Sequence, residues 1–355
     1  MKILIPILGF SKSGGYRVLS NFANEFVKDG HEVDFLVNEN SDVPYFPTIA
    51  NIAYVNIFGE LKKHNEEIKK SESYFKSFLS ILLGCYRSKK KYDVVIANHS
   101  LTIIPVYLST IRAKKVYYIQ AYEPEYYELM AGTKNKIFYY LSRLSYKFPF
   151  LKIVNSSIYC NYKEIVTPYI VYPGLDFSLY NGVNRKKKSE KILTVGTIAR
   201  AESQKGTSYI IDAFLALQKK YENIEFIIAF PSNTDTKNLK YVSINPNGDS
   251  NIAMFYKSLD VYISAGIVQF GAVHYPVIES MACGTFTITT PYYPANDSNS
   301  YIIDSKSVSS IVKAIEKILH QEFEWDKRTE KASDDVKEFS WAYQYQNLLR
   351  IIESN

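Results

Sequence analysis

The chain has 355 residues, 46% of them hydrophobic, with 42 Lys and Arg against 36 Asp and Glu, a formal net charge of +6. That length and apolar content suffice to bury two cores, which points to two domains. Three scattered cysteines, Cys85, Cys160 and Cys283, exclude a disulfide framework and a Cys-x-x-Cys metal site and fit a reducing compartment.

Taken in chain order, Ile3–Leu8 is too short to span a membrane and lacks a cleavage pattern, so it reads as a first strand. Gly14 and Gly15 follow, then a helix carrying Leu19, Phe22, Ala23 and Phe26 on one face. A second strand is expected at Val33–Leu36. Further strands are expected at 53–57, 94–97 and 116–119, with helical runs between them. Such alternation predicts a parallel, doubly wound α/β sheet. His99 falls just after the strand at 94–97, at a carboxyl end of the sheet, where open α/β folds bind ligands. It could contact a sugar hydroxyl, assist deprotonation of an acceptor, or simply hold the backbone. Gln120 and Glu123 occupy the corresponding place after the strand at 116–119.

The polar run 182–189, Gly-Val-Asn-Arg-Lys-Lys-Lys-Ser, is the best linker. Domains are therefore expected at 1–184 and 185–335, with a final amphipathic helix inside 336–355. Up to Asn184 there are 22 Lys and Arg against 16 Asp and Glu; beyond it the two kinds balance at 20 each. The surplus thus lies in the first half, and since no nucleic-acid module accompanies it, nucleic acid is not an expected partner. An anionic membrane surface is. Tyr74, Phe75, Phe78, Leu79, Leu82 and Leu83 recur at helical spacing ahead of the basic run 87–91, and 147–152 forms a second basic-aromatic cluster. Either these stretches lie in an anionic interface or the helix is core with a solvated basic tail.

Two segments of the second half carry chemistry. The β-rich run from Ile192 ends in Gly196, after which Arg200 and Lys205 stand five positions apart, ahead of a helix beginning near Thr207. A guanidinium fork and an ammonium at a strand-to-helix loop can grip a diphosphate. After the strand 260–264, the segment His274-Tyr275-Pro276-Val277-Ile278-Glu279 reads as a Pro-opened helix with Glu279 in its first turn. There the carboxylate would keep both oxygens free for vicinal hydroxyls.

These segments resemble the family-4 group of nucleotide-sugar glycosyltransferases of the GT-B fold, in which two Rossmann-like domains face a central cleft. The resemblance implies that Arg200 and Lys205 bind the donor diphosphate, that Glu279 binds the ribose, and that Gly14 and Gly15 lie against the donor phosphates. Gly196, His274 and Tyr275 complete the expected donor site, and Pro173-Gly174-Leu175-Asp176 resembles the entry to the second domain. It further implies that the last helix, 341–352, crosses back onto the first domain. Gly271 stands where the family has the first Glu of its Glu-x7-Glu element. The Gln120-x-x-Glu123-Pro124 stretch and the Tyr275-Pro276 pair are similar to a subgroup including bacterial surface-polysaccharide rhamnosyltransferases.

The expected reaction moves a sugar, rhamnose or a hexose, from a UDP-, GDP- or dTDP-sugar to a saccharide or lipid-linked saccharide. Arg200 and Lys205 would meet the leaving-group charge, while His99, Gln120 and Glu123 serve the acceptor, His99 and Glu123 also being candidates for its activation. No metal ligand set and no cofactor is expected, because no Asp-x-Asp triad and no His/Cys cluster is present. Family membership implies retention of configuration, and the expected location is the cytoplasm or the inner face of the plasma membrane. A GT-B nucleotide-sugar epimerase, a non-catalytic transferase partner and a membrane-recruited scaffold are the other readings.

Overall fold

The structure is a computed structural model that describes residues 1–62, 74–88, 91–109, 111–130, 132–185, 192–320 and 324–355. The chain divides into two compact units, one of residues 1–174 with 341–355, the other of residues 175–340.

Unit 1 begins with β1 (Lys2–Pro6), α1 (Gly14–Lys28), β2 (Glu32–Asn38), β3 (Asn51–Val55) and the short β4 (Leu61–Lys62). Next come α2 (Tyr74–Arg87), β5 (Val94–Ala97), α3 (Ser100–Leu108), β6 (Lys114–Ile119), α4 (Glu123–Glu128), α5 (Thr133–Ser145) and β7 (Leu151–Val154). The sheet order is β4-β3-β2-β1-β5-β6-β7, parallel throughout except for the β3–β4 pair. Strands such as Val94-Val95-Ile96-Ala97 are buried at every position, as parallel strands covered on both faces must be. α1 ends in a Schellman turn: His31 N–H reaches Phe26 O and Gly30 N–H reaches Val27 O, both at 3.0 Å, with Gly30 at φ 82°.

Unit 2 contains β8 (Leu193–Ile198), α6 (Thr207–Gln218), β9 (Ile224–Ala229), β10 (Val242–Ile244), α7 (Asp249–Lys257), β11 (Val261–Ser264) and α8 (Tyr275–Ala282). It continues with β12 (Phe286–Thr289), β13 (Tyr301–Ile302), α9 (Val308–Leu319) and α10 (Trp325–Asp335). Its all-parallel sheet runs β10-β9-β8-β11-β12-β13. Ile210, Ile211, Phe214 and Leu217 of α6 pack into a core with Phe226, Ile228, Ile263 and Ile288 of the strands. Each unit is thus a Rossmann-like doubly wound sheet.

The last helix, α11 (Trp341–Ser354), belongs to unit 1. Trp341 meets Phe22 edge-on at 5.4 Å, Tyr345 meets Phe26 at 5.1 Å, and the Tyr345 hydroxyl donates to Asp29 at 2.7 Å. Gln344, Tyr345, Leu348, Ile351 and Ile352 form its buried face. Tyr343 is exposed, because it lies on the opposite side of the helix from Tyr345 and Ile352.

Three expectations need correction. The units divide at Gly174 rather than at 184, because Leu175 N–H bonds Phe339 O, Asn181 takes a bond from Lys257 and Arg185 donates to Leu259 O, all within unit 2. Of the expected linker, residues 186–189 lie outside the described residues. The cluster at 147–152 is a turn leading into β7, with Phe148 stacked on Tyr107 at 4.3 Å and Phe150 buried, so Phe150 is no part of a surface cluster. α2 is neither a plain core helix nor a free stripe: Ser77, Ser80, Ile81 and Cys85 are its buried face, Phe78, Leu79, Leu82 and Leu83 are half-buried, and Phe75 is exposed. The Tyr74 side chain and Lys89–Lys90 lie outside the described residues.

Gly174 shows what seats α11. A Cβ there would stand 2.2 Å from the Trp341 ring, whereas one at Gly182 would meet nothing within 4 Å. Gly174→Ala should lower the stability of unit 1 by about 1–3 kcal/mol through overpacking, with Gly182→Ala near neutral. Urea melts followed by tryptophan fluorescence check both; equal midpoints for the two variants would refute this account of the seat.

Candidate functional site

In unit 2 strand order reverses between β8 and β11, and the crevice beyond the carboxyl ends of those strands is where such sheets bind ligands. The loop leaving β8 carries Arg200 and Lys205 to that place; the strand β11 ends in Ser264, and His274 caps α8 beside it. The loop is tightly fixed. Gly206 adopts φ 70°, and a Cβ there would sit 1.9 Å from Ala265 O, so only glycine fits. Thr207 Oγ1 accepts from Arg200 N–H at 3.0 Å and donates to Arg200 O at 3.1 Å, closing the loop end to end.

Each cation has a partner. Arg200 donates through Nε at 3.2 Å and Nη2 at 2.8 Å to the two oxygens of Glu202. That fork holds the Glu202 carboxyl far down, at about 2, while the Glu202 bond and charge raise Arg200. Lys205 Nζ lies 3.2 Å from His274 Nε2, and burial together with Arg200 lowers its ammonium pKa. Burial, Lys205 and Arg200 push His274 well below the usual imidazole range. The neutral ring therefore accepts from Lys205 at Nε2 and keeps its proton on Nδ1, which faces Ser264 Oγ at 3.5 Å. Tyr292 stacks on the ring at 4.8 Å.

Glu279 sits one turn deeper than expected. α8 starts at Tyr275, so Glu279 is in the second turn, buried, and its Oε2 accepts from the Tyr256 hydroxyl at 3.0 Å. One of its two oxygens is therefore already engaged. Gly196 lies inside β8 rather than at its end; a Cβ there would come within 2.5 Å of Leu259 and 3.1 Å of Ile227 O, so the residue serves packing of the sheet. Tyr275 is the first residue of α8, beside His274. Gly271 adopts φ 88° and donates its N–H to Pro291 O at 2.7 Å. Sequence reasoning missed Glu202, Tyr256, Ser264 and Tyr292. Only Glu202 carried a local signal, an acidic residue two positions from Arg200.

In unit 1 the expected residues gather at the carboxyl ends of the adjacent strands β1, β5 and β6. Gly14 and Gly15 open α1, and Gln120 Nε2 donates to Gly15 O at 3.3 Å. His99 caps α3: its Nδ1 accepts from Leu101 N–H at 3.1 Å, which leaves the ring proton on Nε2, 3.5 Å from Glu123 Oε2. Glu123 is buried and accepts from Ser100 N–H at 2.9 Å and Ser100 Oγ at 2.5 Å. This arrangement points His99 Nε2 at Glu123 and makes Glu123 a brace between α3 and α4. Among the described residues no group of three or more His, Cys, Asp or Glu side chains is disposed to hold a metal ion.

Residues 189–321 match the family model described as glycosyl transferases group 1. Solved structures are similar over the whole chain. A sucrose-phosphate synthase from Thermosynechococcus elongatus shares 12% identity over 100% of this chain and 98% of that one, with a TM-score of 0.79. The Anabaena protein HepE, solved with UDP and glucose, shares 15% over 100% of both chains with a TM-score of 0.68. A glycosyltransferase from Rickettsia africae shares 14% over 99% and 98%, with a TM-score of 0.66. No curated protein sequence matches the chain. Residues 189–321 are thus similar to group 1 glycosyl transferases, and the chain has the GT-B fold of these structures.

The depressed His274 imposes a sign on stability. Between its folded pKa and about 6.5 the unfolded chain binds a proton that the folded one does not, so stability rises with pH across that window and falls on acidification. From pH 7.5 to 5.5 the wild type should lose up to about 1.4 kcal/mol more than His274→Gln. Urea midpoints at the two pH values test this. The depressed His31 of unit 1 is common to both proteins and cancels. Equal losses would mean that His274 is not held neutral.

Proposed function

We propose that the chain is a glycosyltransferase that moves a sugar, rhamnose or a hexose, from a nucleoside diphosphate sugar to a saccharide or lipid-linked saccharide hydroxyl in the building of a bacterial surface polysaccharide. The observation that carries this reading is the convergence of Arg200, Lys205 and His274 at the strand-order reversal of unit 2, inside the segment that matches the group 1 family. The donor diphosphate takes the Arg200 fork and the Lys205 ammonium. The ribose meets Glu279, whose other hydrogen-bonding partner, Tyr256, fixes the carboxylate in place. The glycosidic C–O bond to the diphosphate breaks as the acceptor oxygen bonds the anomeric carbon. The departing phosphate oxygen takes the acceptor proton, so configuration is retained and no metal or cofactor takes part. His99 and Gln120 in unit 1 orient the acceptor, with Glu123 holding His99 in register. That the Anabaena structure holds UDP and glucose supports a nucleotide-sugar donor.

A lipid-linked acceptor fits the surface of unit 1. α5 buries Ser142 and Ser145 and turns Ile137, Tyr140 and Leu144 outward, beside the exposed Lys134 and Lys136. An apolar stripe flanked by cations suits an anionic interface at the inner face of the plasma membrane. Among the described residues no helix is long and apolar enough to cross a membrane.

Two measurements test the reading. In calorimetry against UDP, GDP and dTDP one nucleotide should bind best, and Arg200→Ala, Lys205→Ala or Glu279→Ala should each weaken it about 10-fold or more. Failure of all three nucleotides to bind would overturn the donor site and favour a non-catalytic role. Sedimentation with vesicles containing phosphatidylglycerol should capture the wild type but not Tyr140→Glu; indifference to that change would remove the membrane reading.

A further inference from the structure

The fork of Arg200 is already occupied by an anion of its own loop. Nε and Nη2 present one edge of the guanidinium to the two Glu202 oxygens, at 3.2 and 2.8 Å. That is the two-oxygen geometry in which a guanidinium grips a phosphate. Glu202 is ionised at any physiological pH, its carboxyl being held at about 2 by the Arg200 bond. Both side chains are about half exposed, at 48% and 43%, so neither is locked in by packing and the pair can open. The backbone beneath them behaves otherwise. Thr207 clamps Arg200 N–H and O, Lys205 N–H bonds Glu202 O at 2.9 Å, and Ile267 N–H reaches across to Gln204 O at 3.0 Å. A rigid loop thus carries a mobile ion pair. The second cation is disposed differently: Lys205 is turned to the neutral His274, and among the described residues no carboxylate bonds it.

We infer that Glu202 is a resident competitor for the diphosphate. It occupies the Arg200 fork when no nucleotide is bound, yields it when the donor arrives, and returns to it as the nucleoside diphosphate leaves. This inference rests on the donor-site reading above. Glu202 is then a positioning residue that acts through Arg200. It keeps the two neighbouring cations from standing unpaired, and it weakens the hold on a product that carries more charge than the carboxylate it displaces. Its place in the chain, two residues after Arg200 and ahead of the turn at Ser203–Lys205, lets the carboxylate swing clear while the loop backbone stays where it is.

The test is a double-mutant cycle by calorimetry, using whichever of UDP, GDP and dTDP the wild type binds best, with inorganic pyrophosphate as a base-free probe. Glu202→Gln and Glu202→Ala should each bind the nucleotide about three- to tenfold more tightly, with slower release in stopped-flow of its fluorescent mant derivative. With Arg200→Gln already in place, the same changes should give no further gain. A gain of equal size in both backgrounds would mean that Glu202 repels the ligand through space without contesting the fork, and would overturn the inference. Weaker binding on losing Glu202 would also overturn it, by making the carboxylate a support that aims Arg200 at the ligand. If the wild type binds none of the three nucleotides and no pyrophosphate, the donor-site reading itself falls, an outcome distinct from either of these.

Discussion

Two cations held close together in a half-buried loop repel one another, and much of the local structure of unit 2 answers that repulsion. Burial and Arg200 lower the ammonium pKa of Lys205, and burial with both cations keeps the nearby imidazole of His274 uncharged. An arrangement of this kind holds only if the backbone cannot relax it. Gly206 is pressed against Ala265 O, where no side chain fits, and Thr207 bonds both ends of the Arg200 peptide. The loop is thereby tied at one end to β8 and at the other to the strand that ends at Ser264. Local partners disperse the charge, a carboxylate for Arg200 and a neutral ring for Lys205. An incoming anion adds what those partners supply only in part, which is the electrostatic basis of affinity at such a site.

Unit 1 has the opposite character at the same place in its sheet. There a buried side chain, Glu123, accepts hydrogen bonds from Ser100 and faces the edge of the His99 ring. Around it runs a column of tyrosines. Tyr117 and Tyr122 each stack on Tyr146 at 5.6 Å, and Tyr162 stacks on Tyr122 at 3.8 Å. Burial raises the phenols of Tyr117, Tyr146 and Tyr122, so they stay protonated and serve as donors. The Tyr146 hydroxyl makes this concrete, donating to Ala121 O while accepting from Glu123 N–H. These buried hydroxyls and rings fill the end of the unit 1 sheet, whereas the half-exposed Arg200 of unit 2 is placed to attract anions. The two sheet ends therefore differ in the chemistry they can hold.

Much of this was legible in the sequence, for identifiable reasons. Parallel strands covered on both faces read as apolar runs, so Val94–Ala97 and Val261–Ser264 stand out unaided. The Gly30 exit from α1 and the Arg200–Lys205 loop carry local punctuation that fixes the backbone, and the aromatic face of α11 announces that it docks. What was not legible depends on distant partners. Tyr256 and Tyr292 act on Glu279 and His274 from other elements, with no signal near either residue. The boundary at Gly174 is set by how Trp341 and Ser340 pair with residues far away in sequence, while the eye is drawn to the charged run after it. α5 misleads in another way, because serines fill its buried face and the large apolar residues turn outward, inverting the pattern by which helices are read.

The replacement at Gly271 shows why a missing motif residue need not mean a missing function. The segment before α8 holds two residues in the left-handed region, Gln269 at φ 52° and Gly271 at φ 88°. Ala272 N–H closes back on Gln269 O at 3.0 Å, and Gly271 N–H is spent on Pro291 O. Tyr292 meanwhile donates to Val268 O at 2.8 Å and packs its ring so near Gly266 that a Cβ there would fall 2.2 Å from the hydroxyl. A glutamate at position 271 would need a backbone that side chains avoid, so its absence follows from the shape of the loop. The loop closes around Tyr292, the same ring that stacks on His274. A carboxylate introduced at position 271 alone would therefore strain the turn that leads into His274.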